Sequence, residues 1–279
     1  LGGELMEVLT WADELRRLGV RANADTPEAA KLARQLGAEG IGLCRTERMF
    51  NAVDRLPIVV EMILADIEET RKAALEKLMP LQKNDFKEIL MAMEGLPVTI
   101  RLLDPPLHEF LPSVEELLHQ IFTLKQSGAS ESALTEKQVT LEKVRALAEV
   151  NPMLGHRGVR VGVTYPEIYE MQIRAICEAS AEILKDGFDV EPQIMVPQVS
   201  AAEELVVVKD IVERVKKDVE EKYGSKLPIK FGTMIEVVRA CVTADKIAEV
   251  AEFFSFGTND LTQGVFSFSR EDAENKFLP

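Results

Sequence analysis

The chain has 279 residues, 46% of them hydrophobic and 29% charged, and 33 Lys and Arg against 47 Asp and Glu give a formal net charge of −14. This is a globular composition, long enough for one large domain or two small ones, and it argues against a grip on nucleic acid, which needs clustered Lys and Arg to displace counterions. The three cysteines (Cys44, Cys177, Cys241) form no CxxC pair, so neither a disulfide framework nor a zinc site is indicated, and no apolar run approaches the ~20 residues of a membrane helix.

In chain order, Leu5, Val8, Leu9, Ala12 and Leu15 recur at helical spacing and Gly19 closes that segment. VRANAD (20–25) reads as a short strand. Thr26-Pro27-Glu28 opens a helix with a cap residue, a first-turn proline and an acid, and Gly37 ends it before a second strand, AEGIGLCR (38–45). From 65 to 149 the only strand is VTIRLLD (98–104). The rest is rich in Glu, Lys, Leu and Ala, with a polar loop SGASES (127–132), and roughly 105–150 reads as a helical insertion. HRGVRVG (156–162) is a weaker strand candidate. IMVPQV (194–199), KFGTMIEV (230–237) and FFSFGTNDL (253–261) are strands separated by helices over 201–223 and 239–252. A helix-like segment at 269–275 lies just before Pro279. With Leu1 rather than Met at the start, both ends are expected to be cuts through a longer protein.

Near-continuous apolar strands alternating with helices predict a parallel sheet buried on both faces. Seven such strands are one short of a closed barrel, so the expected fold is a (β/α)8 TIM-type barrel filling residues 1–279, truncated before its eighth strand. An open doubly wound sheet fits the same alternation, but Gly40-Ile41-Gly42 is followed by Arg45 where a dinucleotide fingerprint needs its third glycine.

A parallel barrel builds its site at the C-terminal ends of its strands. The polar residues that close apolar runs are Arg45, Arg101, Glu236 and the run Gly257-Thr258-Asn259-Asp260. Thr99, Arg101 and Leu103 share one strand face, so a buried Arg101 must be paired, for instance with Asp104, or must bind an anion. A structural Arg45–Glu47 pair is the plain alternative at the second strand. Glu236 and Asp260 close neighbouring strands and make an oxygen-ligand pair suited to Mg²⁺, unless Asp260 merely caps the following helix. Arginines beside a cation held by carboxylates suit phosphoryl groups. Arg270 reads by spacing as a surface charge, or as part of the phosphate site that barrels often carry in that loop. His156, Arg157 and Arg160 are either supporting residues or solvated ones. His108 and His119 lie in the helical insertion and are expected to do no chemistry, and Cys44 faces the core with nothing to activate it.

The motifs GIGLCRTERMF, TIRLLDPPLHEFLP, NPMLGHRGVR, IMVPQV, GTMIEVVRA and FFSFGTNDLTQ resemble, in order, those of the C-terminal domain of the phosphoenolpyruvate-utilising enzymes. The HEFLP ending and the long helical segment before NPMLGHRGVR look like the pyruvate phosphate dikinase branch rather than phosphoenolpyruvate synthase or enzyme I of the sugar phosphotransferase system. The resemblance implies a barrel that binds phosphoenolpyruvate (PEP) or pyruvate with Mg²⁺. It implies that Arg45, Arg101, Arg157 and Arg270 hold phosphoryl and carboxylate groups, that Glu236 and Asp260 hold the metal, and that Gly257, Thr258 and Asn259 contact substrate. It further implies interconversion of pyruvate, ATP and phosphate with PEP, AMP and pyrophosphate through a phosphohistidine on another domain, an ATP-binding domain in the same enzyme, a homodimer, and a cytoplasmic or, in a plant, plastid location. The family's proton-donating cysteine and its phosphohistidine are expected outside this chain, so the chain alone is expected to be inactive. Arg48 stands where the family has histidine after RTE. The alternatives are a binding and dimerisation module without turnover, and a metal-dependent aldol-type lyase acting on pyruvate.

Overall fold

A computed structural model describes residues 3–278. Six parallel strands follow one another in chain order across one sheet: β1 (Ala22–Asn23), β2 (Ile41–Arg45), β3 (Pro97–Arg101), β4 (Glu191–Val196), β5 (Lys230–Ile235) and β6 (Phe253–Phe256). Each connection carries at least one helix, and sequential order with every pair parallel is the wall of a (β/α)8 barrel. The central strands are buried along almost their whole length, as their unbroken apolar runs require.

Local signals account for the helices. Thr26 caps Pro27–Gln35 by accepting the Ala29 N–H at 3.2 Å, with Pro27 in the first turn. Three long helices, Glu68–Ala92, Pro166–Lys185 and Ala202–Tyr223, pack in series, and the middle one is buried nearly all round. Ion pairs Lys83–Glu182 and Arg214–Glu170 tie it to its neighbours at 2.7 and 2.9 Å. The region 105–150 holds a 3-10 turn (Leu107–Phe110) and two helices, Val114–Gln126 and Glu131–Leu147, that pack on each other. The former opens with a capping box between Ser113 and Glu116.

Two expectations are corrected. HRGVRVG is not a strand: Gly158 takes φ +59°, and Val159–Thr164 is a short helix that buries Val159 and Val161. A Val-Arg-Val alternation fits a strand, but here the Gly158 N–H is drawn to the Asp104 carbonyl (2.8 Å) and the Val159 N–H to the Pro197 carbonyl (3.0 Å), which turns the chain. The described residues therefore contain six strands, not seven. The single helix expected over 239–252 is two, Val238–Val242 and Ala244–Ala248, broken at Thr243. At the N-terminal side the Glu4–Leu15 helix buries none of its side chains, so the apolar periodicity read there has no partner among the described residues.

Candidate functional site at the strand ends

Arg45 ends β2 and Arg101 ends β3, and the sheet register pairs these two residues directly. Arg45 is fixed by its backbone N–H, which donates to Asp25 Oδ1 at 2.6 Å. The plain Arg45–Glu47 pair does not form. Glu47 instead accepts from Arg101, and no carboxylate lies within 4.0 Å of the Arg45 guanidinium among the described residues. Thr46, fully buried, donates its hydroxyl to the Arg101 carbonyl at 3.1 Å.

Beyond β3 the chain stays buried through Leu102, Leu103 and Asp104. Asp104 is the hub. Its carboxylate accepts from Arg157 Nη2 at 2.7 Å and from Arg157 Nε at 3.3 Å, and it forms an ion pair with Arg101 Nη1 at 2.9 Å. The parity argument for Arg101 thus resolves in a pair, as a buried guanidinium requires. Burial opposes the charge on Arg101 and Arg157, but the facing carboxylates, Asp104 foremost, outweigh it and hold both above the ordinary arginine range. Burial pushes the Glu47 carboxyl up, and Arg101 only partly offsets it.

Glu236 follows β5 and is 3% exposed. Its Oε1 accepts the Gln198 N–H at 2.7 Å, while Oε2 is buried without a partner. Gln198 delivers that N–H from a left-handed backbone (φ +60°), an uncommon state for a residue with a side chain. Burial first, then the charge of Asp104, pushes the Glu236 carboxyl up to about 7, and Asp260 adds to the effect. Gly257 follows β6, and a Cβ there would lie 2.6 Å from Glu236 Oε2 and 3.0 Å from Met234 Sδ, so only glycine lets the two strand ends approach. Asp260 sits in the first turn of the Thr258–Phe266 helix, half-buried, 3.9 Å from Arg157 Nη1. Thr258 and Asn259 are exposed on the same turn.

A cavity of 360 Å³ brings together Arg45, Glu47, Arg101, Asp104, Glu109, Arg157 and Asp260; Glu236, Gly257, Thr258 and Asn259 are not among its lining residues. A larger hollow of 570 Å³ lies against the other ends of the strands, where Gln193 joins Thr99 and Arg21. It gathers fewer charges and none of the strand-end residues. Arg270 is not brought to the cavity lining: it is exposed at the start of the Arg270–Lys276 helix, where it pairs with Glu274 at 2.8 Å. Arg160 holds the loop before Arg157 through the Leu154 and Gly155 carbonyls, and His156 Nε2 lies 2.5 Å from Thr164 Oγ1. His108 and His119 lie in the helical region, outside the cavity lining. Burial pushes the Cys44 thiol up, so it is no nucleophile.

The orphaned, buried Glu236 oxygen, with Asp260 just past the neighbouring strand, is oxygen chemistry that would suit a hard divalent cation. Among the described residues no three His, Cys, Asp or Glu side chains converge to hold a metal by themselves, so water and substrate oxygens would complete the ligand sphere, as Mg²⁺ prefers. Sequence reasoning named Glu236 and Asp260 but gave Asp104 only as a pairing partner. It gave no sign of Gln198, whose part depends on a backbone angle.

The family described as PEP-utilising enzyme, PEP-binding domain, matches residues 2–278. The chain belongs to the PEP-utilising enzyme family. Similar proteins include the pyruvate, phosphate dikinase of Entamoeba histolytica, 62% identical over 98% of this chain and 31% of that protein, and that of Clostridium symbiosum, 52% identical over 100% and 31%. The chloroplastic pyruvate, phosphate dikinase 1 of Arabidopsis thaliana is 52% identical over 100% of this chain and 28% of that protein. The chain thus spans about 30% of the length of these relatives. No helix is long and apolar enough to cross a membrane among the described residues.

Proposed function

We propose that this chain is the part of a pyruvate, phosphate dikinase that binds PEP or pyruvate, and that the cavity at the strand ends is where it does so. The observation that carries the reading is the convergence of Arg45, Arg101 and Arg157 on one cavity, with two carboxylates, Glu236 and Asp260, at the adjoining strand ends.

Arg45, with no carboxylate partner, is the guanidinium most open to an anion, and Arg101 and Arg157 face the cavity beside it. Two guanidiniums held by carboxylates and a third left open, in a partly desolvated site, suit the non-bridging oxygens of a transferring phosphoryl group. The carboxylates nevertheless outnumber the arginines: Glu47, Asp104, Glu109 and Asp260 in the lining, with Glu236 outside it, stand against three guanidiniums, so the site is formally negative. An anion entering such a site gains from a divalent cation, and Glu236 and Asp260 would hold Mg²⁺. When bound, Mg²⁺ supplies Lewis-acid stabilisation of charge on enolate and phosphoryl oxygens. The protein's own work is positioning: Asp104 spaces Arg101 from Arg157, Gly257 leaves room for Glu236, and Gln198 fixes the Glu236 oxygen that faces away from its partnerless one. Thr258 and Asn259 present their first-turn groups to the carboxylate end of the substrate. Arg270 joins the clamp only if its helix moves toward the cavity.

In the whole protein this site exchanges its phosphoryl group with a phosphohistidine on another domain, which is served by an ATP-binding domain. The net reaction converts pyruvate, ATP and phosphate into PEP, AMP and pyrophosphate. The whole protein is a homodimer of the cytoplasm or, in a plant, of the plastid. Calorimetric titration of the full-length protein with PEP tests the reading: binding is expected with Mg²⁺, to weaken strongly with a chelator, and to be lost in Arg101→Ala. No binding by the wild type in Mg²⁺ would overturn it.

A further inference from the structure

Behind the cavity lies a pair of buried polar side chains that the reaction chemistry does not use. Tyr169 and Gln172, both at 0% exposure, sit three residues apart on one face of the Pro166–Lys185 helix. The Tyr169 hydroxyl donates to the Leu103 carbonyl at 2.9 Å, and Gln172 Oε1 accepts the Leu103 N–H at 2.9 Å. Leu102 still donates to β4, through the Met195 carbonyl, but Leu103 has left the sheet. Both of its backbone groups are therefore satisfied by one helix. Gln172 Nε2 is left buried without a partner, and the Tyr169 ring lies so close to Gly162 that a Cβ there would come within 2.4 Å of it. An apolar pair would spare that amide but would leave the buried Leu103 N–H and carbonyl without partners, so the helix needs polar side chains at these two positions.

Leu102 and Leu103 are the only residues between Arg101 and Asp104, and Asp104 is the carboxylate whose charge Arg101 and Arg157 share. We propose that Tyr169 and Gln172 are positioning residues: by gripping Leu103 from behind, they set where the Asp104 carboxylate stands and thereby the spacing of the two guanidiniums that receive the phosphoryl group. The proposal rests on reading the cavity as the PEP site. It makes the Pro166–Lys185 helix, and not only the strand ends, part of the machinery. A loosened Leu103 lets Asp104 swing and frees the Arg157 Nε–H, which donates to Asp104.

The test uses full-length protein with Tyr169→Phe, which keeps the ring, and Gln172→Leu, which keeps the volume. Two readouts are taken: PEP affinity in Mg²⁺ by calorimetry, and hydrogen exchange of the Arg157 Nε–H by NMR on ¹⁵N-arginine protein. Each variant is expected to raise the Kd for PEP by about three- to tenfold, the worth of one buried hydrogen bond, and to speed Arg157 exchange by a comparable factor. The Tyr169→Phe melting temperature is expected to stay within a few degrees of wild type. Arg157 exchange unchanged in both variants would overturn the positioning role. If wild-type protein binds no PEP, the assignment of the cavity falls instead, and the exchange comparison still decides whether Tyr169 and Gln172 hold the Asp104–Arg157 pair.

Discussion

Replacing Glu236 by Gln tests the electrostatics of the site with a sign as well as a size. The folded protein holds the Glu236 carboxyl up at about 7, against an ordinary value of 4.5, because the group is buried and faces Asp104 and Asp260. Between those two pH values the folded chain keeps a proton that the unfolded chain has released, so stability falls as pH rises through this window and levels off above about 7. At 1.36 kcal/mol per pH unit, the whole step is on the order of 3 kcal/mol, and water penetration makes that an upper bound. Glutamine keeps the shape and an acceptor for the Gln198 N–H but has no proton to lose. Urea unfolding of chelator-treated wild type and Glu236→Gln, at pH 4.5 and pH 8, reads the effect as a difference of differences, which removes every other titrating group. The two proteins should be of similar stability at pH 4.5, with Glu236→Gln the more stable at pH 8 by one to three kcal/mol, roughly. Added Mg²⁺ should close the gap at pH 8 by stabilising only the wild type. A stability difference of the same size and sign at both pH values would refute the account of Glu236.

Other substitutions separate the parts of the site. Gly257→Ala would place a methyl 2.6 Å from Glu236 Oε2, so the carboxylate must shift; PEP affinity in Mg²⁺ is expected to drop at least tenfold, roughly, and wild-type affinity by calorimetry would contradict the close packing. Gln198→Gly keeps the N–H that Glu236 accepts and relieves the left-handed backbone, whereas Gln198→Val forces a β-branched residue into it. The first should leave thermal stability unchanged or higher, the second should lower stability by about 1–3 kcal/mol, and equal effects would contradict the strain. Arg270→Ala should cost far less PEP affinity than Arg101→Ala, since Arg270 is exposed and paired with Glu274; an equal loss would show that the last helix swings into the site.

The strand ends were the most legible part of the chain, for a physical reason. A parallel strand buried on both faces is mostly apolar and carries no unpaired charge, so a charge at its end has no solvated face to occupy and stands out, as Arg101 and Glu236 do. HRGVRVG misled because its alternation satisfies a strand as readily as one turn of helix, and the choice was made by long-range partners, the carbonyls of Asp104 and Pro197. Arg157 reaches the cavity through that turn, which is why only resemblance could assign it. Tyr169 and Gln172 were invisible for a related reason: a buried helix tolerates either residue, and their meaning comes from Leu103, some seventy residues earlier in the chain. The −14 charge is reconciled in the same way. Much of the acid pairs with lysine and arginine along the outer helices, while the cavity sets Arg45 and Arg101, from strand ends, and Arg157, from a turn, among a few carboxylates.

The most direct test of the central claim is a crystal structure of the full-length protein with PEP and Mg²⁺. Phosphoryl oxygens are expected within hydrogen-bond distance of Arg45, Arg101 and Arg157, with the cation on Glu236 and Asp260. Ordered PEP elsewhere, with Arg101 and Arg157 still paired only to protein carboxylates and Arg45 not engaged by the ligand, would contradict that claim.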